Sequence, residues 1–146
     1  MTEKTILDIP ARKVFIRQLT KLTLIRKQQQ CDDEQKLFKW YIKMKNKSFT
    51  VGLVWIQGLI IQVNNQQDSI LLDDGSGVAA VSDVQKAPGA GDWIKLGQYC
   101  MALGDLQDNS VIPSVRAVKL MNLQSDVDVE TLWITEVLDL WSYLDL

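Results

Sequence analysis

The sequence contains no histidine. That excludes a Ser-His-Asp or Cys-His catalytic site, a His-ligated zinc and a histidine pH switch. Cysteine is nearly absent. Cys31 and Cys100 form no C-x-x-C and are too few for a zinc cluster or a secreted disulfide scaffold, so two inert thiols in a reducing compartment are expected. No long hydrophobic run exists. The longest apolar stretch, Val51 to Ile61, is broken by Gln57 and two glycines and is too short to span a bilayer. The first residues, MTEKTILDIP, lack the basic-then-apolar layout of a secretion signal, so an intracellular, soluble chain is expected. No internal repeat is visible.

What is present is one domain's worth of chain: 146 residues, 47% hydrophobic and 23% charged. The net charge of −2 conceals a strong asymmetry. Residues 1–50 carry 12 Lys/Arg against 5 Asp/Glu, while residues 51–146 carry 4 against 13. A basic leader can track a nucleic acid or can simply be solvated. Five tryptophans, at positions 40, 55, 93, 133 and 141, supply core or interface anchors.

The hydrophobic pattern reads mostly as strand. A short strand is predicted at Lys13–Ile16, followed by a helical turn, a polar loop at 27–36 and an alternating strand at Phe38–Met44. Residues 49–63, FTVGLVWIQGLIIQV, are rich in β-branched residues and too long for one flat strand. Gly52 and Gly58 offer bends. Ile70–Leu72 and Val78–Val81 form a hairpin about the DDGSG turn. After a Gly/Pro connection at 84–93, strands are predicted within 94–106 and 111–121, the last with Pro113 at its start or edge. The end, 126–146, has helical period. Asp126 or Asp128 can cap it.

Along that helix Trp133, Val137, Leu140, Trp141 and Leu144 make one stripe, widened by Ile134 and Leu138, with Leu132 and Tyr143 opposite. Packing on one small barrel needs a stripe of about 100°. The excess implies two covered surfaces, the chain's own core and a partner. The five residues of the stripe are the candidate partner interface. The fold class is therefore all-β with helices: a five-stranded Greek-key OB-fold barrel closed by a C-terminal amphipathic helix. The expected organisation is a flexible segment at 1–12, the barrel with its N-terminal extension at 13–124 and an assembly helix at 125–146.

OB barrels bind single strands with aromatics on strands 2 and 3 and basic residues on the flanking loops. Here that hairpin, SILLDDGSGVAAVSDV, has no aromatic and no Lys or Arg, and its loops NNQQDS and DLQDNS are neutral to acidic. Without cations the groove gains nothing from counterion release. Lys36, Lys39, Lys43, Lys45 and Lys47 keep a strand-binding alternative open through the N-terminal segment. Asp73 and Asp74 are adjacent carboxylates, but in a hairpin turn they read as turn formers rather than a metal pair. No nucleophile–base pair, phosphate loop, metal set or cofactor motif is present.

The segments VWIQG, SILLDDGSG, GQYCMALGDLQ, VRAVKLMNL and ETLWITEVLDL resemble the RecQ-mediated genome instability protein 2 family, over about residues 49–146. The layout is less closely similar to the middle subunit of replication protein A. The first resemblance implies a non-enzymatic nuclear scaffold. It implies pairing with the C-terminal OB domain of RecQ-mediated genome instability protein 1. Through that subunit it implies a place with topoisomerase III alpha and the Bloom helicase in double Holliday junction dissolution, and a docking surface for a Fanconi anaemia group M peptide. Neither a membrane nor nucleic acid in the groove is implied. Trp133 matches the family's helix Trp in E-x-L-W, implicated in pairing. Lys119 matches the Lys of A-V-K, implicated in contacts with the wider complex, and its strand position points it outward, opposite to Val118 and Leu120. Gln98 stands where the family has a Lys.

Overall fold

The computed structural model describes residues 11–20, 23–26, 39–44, 47–123 and 127–144. The alternating run predicted as one long bent strand divides at Gly52 into β4 (Lys47–Val51) and β5 (Leu53–Asn64). β5 is 12 residues long and sends Val54, Ile56 and Ile60 into the core. It bulges at Ile61, between the pairs Ile60–Leu72 and Gln62–Leu71, which adds the twist a closed barrel requires. Gly58 marks a close approach rather than a bend. A Cβ there would lie 2.7 Å from the carbonyl oxygen of Asp73.

β6 (Ser69–Asp73) and β7 (Val78–Ser82) form the expected hairpin, and each sends alternate residues inward. β8 (Tyr99–Asp108) and β9 (Ser114–Leu123) complete the set. Residues 94–98, read as strand from their alternation, instead turn into β8, with Gly97 at φ +87°. β9 starts immediately after Pro113, which has no N–H to donate to a ladder.

The pairing runs β5–β6–β7–β9–β8 and returns from β8 to β5, so these five strands have no open edge. Only β7 and β9 are parallel within the ring. This is the five-stranded Greek-key OB barrel expected from the sequence. The core holds Val54, Ile56, Ile60, Ile70, Leu72, Val81, Leu106, Val115 and Leu120, all 0 or 1% exposed. The 84–98 connection folds back on the barrel through Leu120 N–H donating to Pro88 O at 2.9 Å. Gly89 permits this: φ is +92°, and a Cβ would sit 1.8 Å from Leu120 O.

Two further layers attach. The N-terminal part forms β1 (Arg12–Lys13), parallel to β5, then α1 (Ile16–Leu19). The strand expected at Lys13–Ile16 thus ends early, because Ile16 already opens the helical turn. Val14, Ile16 and Leu19 are buried in the core. A second sheet, β2 (Thr23–Arg26), β3 (Lys39–Met44) and β4, leans on the barrel. Trp40 anchors it, its indole N–H donating to Leu106 O at 2.8 Å. The loop predicted at 27–36, the segment 1–10, Cys31 and Lys36 lie outside the described residues. Finally α2 (Val127–Leu144) follows the barrel, within the span predicted for it.

Candidate partner-binding surface

The groove face is built by the outward residues of β6 and β7: Leu71, Asp73, Val78, Ala80 and Ser82. No ring is available there for base stacking. At one end a cavity of about 450 Å³ is lined by Asn64, Asn65, Asp68, Gln85 and Asp92. Asp68 Oδ1 accepts from Gln85 N–H at 2.9 Å. The nearby cation of β9, Arg116, faces Asp105 across the β8–β9 ladder, Nη2 to Oδ2 3.6 Å. Asp105 is 1% exposed. Burial pushes its carboxyl up to about 6, against the pull of Arg116 and the Gln107 hydrogen bond.

The DDGSG turn is occupied with structure. Asp74 Oδ1 accepts from Ser76 N–H, Ser76 Oγ and Gly77 N–H, and its Oδ2 accepts from Ile16 N–H at 2.8 Å. Asp73 Oδ1 accepts from Gly75 N–H. The two carboxylates therefore serve the backbone. Among the described residues no three His, Cys, Asp or Glu side chains gather as a metal set. Cys100 is fully buried, and burial pushes its thiol up to about 12.

Beneath α2 two side chains of its described residues are buried. Trp133 is 3% exposed and Val137 0%, and both join the chain's own core. Of the stripe expected to meet a partner, these two residues are thus enclosed by the chain itself. They face the barrel, because the most apolar face of the helix goes to the nearest apolar surface. The backbone of Leu140, Trp141 and Leu144 continues the helix, but their side chains lie outside the described residues. The Trp133 indole N–H is buried with no acceptor. Gln57, 2% exposed, donates Nε2 to Tyr99 Oη at 3.3 Å. Burial, and then the charge of Glu130 on α2, raise the Tyr99 pKa against that bond.

The outward face of α2 carries what remains. Leu132, Ile134 and Leu138 are 60, 45 and 57% exposed. Ile134 and Leu138 stand one turn apart on one flank, with Leu132 on the other. On β9, Lys119 is exposed as expected, opposite Leu103, while its neighbour Leu120 is buried. Met121, two residues on, is half-exposed. The sequence pattern already marked Ile134 and Leu138 as excess. It gave no signal for the ion pair between Lys13 and Glu136, which join across the whole chain. Among the described residues no helix is long and apolar enough to cross a membrane.

Comparison with known proteins places this geometry. The chain is similar over 94% of its length to a chain of a replication protein A heterotrimer bound to single-stranded DNA, with TM-score 0.63 and 14% identity, covering 99% of that chain. A second likeness is to the S. pombe Stn1–Ten1 complex: TM-score 0.54, 17% identity, 66% of this chain and 76% of that one. Both support the barrel. Curated relatives called RecQ-mediated genome instability protein 2 are 34% identical over 88 residues in Gallus gallus and 32% over 87 in Mus musculus. Each alignment covers 60% of this chain, and 64% and 57% of those relatives' own lengths. The family's own profile matches residues 10–141, from just before β1 into the last turns of α2. With a closed OB barrel and its C-terminal helix spanning that same match, the chain belongs to the RecQ-mediated genome instability protein 2 family.

Proposed function

We propose that this chain is a non-enzymatic scaffold subunit that pairs with a second OB subunit, the C-terminal OB domain of RecQ-mediated genome instability protein 1. Through that pair it supports the Bloom helicase and topoisomerase III alpha in dissolving double Holliday junctions in the nucleus. A Fanconi anaemia group M peptide docks on the assembled pair. One observation carries the reading: α2 has already spent Trp133 and Val137 on its own barrel, yet Leu132, Ile134 and Leu138 remain exposed. Ile134 and Leu138, one turn apart on the same flank, make an apolar pair that a partner surface would cover. Ile134 and Leu138 therefore form the pairing face, and Lys119 contacts the wider complex. The groove is left without a strand, since it offers no ring and no free cluster of cations.

The test is co-purification of the full chain with the partner OB domain, beside a fluorescent single strand at moderate salt. Wild type forms a one-to-one complex. Ile134→Glu with Leu138→Glu folds but does not pair. The strand stays unbound. Undiminished pairing by the doubly charged helix, or steeply salt-dependent strand binding without any pairing, overturns the proposal. In the second case the lysines of the N-terminal segment become the site.

A further inference from the structure

The segment 12–20 touches three separate parts of the molecule. β1 lies parallel to β5, pairing Arg12 with Val54 and Lys13 with Trp55, and Val14 N–H donates to Trp55 O at 3.1 Å. α1 packs against β7 and is tied to the hairpin turn at its first residues. Ile16 N–H donates to Asp74 Oδ2 at 2.8 Å, and Arg17 N–H donates to Ser76 Oγ at 3.1 Å. Lys13 reaches the other way. Its Nζ pairs with Glu136 of α2 and sits 6.0 Å from the centroid of the Trp133 ring. Among the described residues, β1 is the strand that packs most against α2.

We propose that residues 12–20 are a clasp that sets the seating of α2 on the barrel, with Lys13 and Asp74 as its positioning residues. Asp74 holds α1 at the hairpin. α1 and Val14 fix β1 on β5. Lys13 then stands where it meets both the charge and the aromatic face of α2. Leu132, Ile134 and Leu138 project from that helix, so the clasp sets the angle at which the pairing face is presented. The last step alone rests on the pairing reading; the clasp itself is a property of the free chain.

Each contact is modest, because Lys13 and Glu136 are both partly exposed. Together an exposed ion pair and a cation–π contact change local opening by roughly fivefold. Hydrogen exchange of the full free chain reads this directly. In Lys13→Met, α2 amides exchange roughly fivefold faster while those of β6 to β9 are unchanged. Asp74→Ala speeds exchange in α1, β1 and α2, although Asp74 makes no bond to α2. The reversed pair, Lys13→Glu with Glu136→Lys, restores protection of α2, which a merely structural loss does not do. Unchanged α2 exchange in Lys13→Met, equal acceleration in the barrel strands, or no rescue by the reversed pair overturns the clasp. Affinity for the partner OB domain is then measured for Lys13→Met. A fall by the same factor supports the coupling. Faster α2 exchange with full affinity overturns the coupling and counts against pairing through α2, while the clasp stands.

Discussion

Replacing Asp105 with asparagine tests the account of the barrel's outer face most sharply. Asp105 is 1% exposed and has one cation nearby, Arg116 at 3.6 Å, and one short hydrogen bond, from Gln107 Nε2 at 2.8 Å. These do not offset its desolvation, and its carboxyl is pushed from the ordinary 3.8 up to about 6. The native state therefore binds the proton more tightly than the unfolded chain does. Its contribution to stability is full below pH 3.8 and is lost as the pH rises through about 6. Between pH 7.5 and pH 5 the group should stabilise the native state by about 1 kcal/mol, a fraction of the complete transition. With a urea m-value of about 2 kcal/mol/M, that is a rise of roughly half a molar in midpoint on acidification. The absence of histidine removes the side chain that ordinarily titrates in this pH window. Asp105→Asn keeps the shape and an acceptor for Gln107 but cannot ionise. Its midpoint should be nearly flat over the same range and should exceed that of wild type at pH 7.5. Urea unfolding followed by tryptophan fluorescence at pH 5, 6, 6.8 and 7.5 measures both. Parallel curves for the two proteins would refute the reasoning, because they would mean Asp105 is solvated or fully compensated.

Other expectations concern packing. Trp133→Ala should destabilise the free chain by about 3–5 kcal/mol, since the ring is core. Trp133→Phe should stay within about 1 kcal/mol of wild type, because it also removes a buried donor without an acceptor. Thermal unfolding of the free chain checks both, and a harmless Trp133→Ala would return that residue to the outer surface. Gly89→Ala should cost about 2 kcal/mol or more, as φ is +92° and the new Cβ meets Leu120 O. The denaturant midpoint reads it. In a Cys31→Ser background, Cys100 should resist a thiol reagent at pH 8 until denaturant is added, because its thiol is buried with a pKa of about 12. Rapid native labelling would contradict that burial.

The barrel was legible because period-two alternation and turn chemistry act locally. Val54, Ile56 and Ile60 announce a face, and DDGSG announces a reversal, whatever the rest of the chain does. The acidic, ring-free hairpin and the missing histidines could likewise be read directly, since chemistry that requires absent residues cannot be assembled by folding. The family resemblance followed from short runs such as VWIQG and ETLW. The helix pattern gave the amount of apolar surface on α2 but not its division. Trp133 and Ile134 are equally apolar neighbours in sequence, and only the seating of the helix sends one to the core and the other to solvent. The same holds for Lys13 with Glu136 and for Asp74 with Ile16. Contacts between residues so far apart depend on where whole elements come to rest. A carboxylate's burial does too: Asp105 reads as an ordinary loop-flanking charge until the layers close over it. Periodicity and composition are local quantities fixed by the order of residues, whereas the partners of a charge or a helix face are fixed by three-dimensional packing alone.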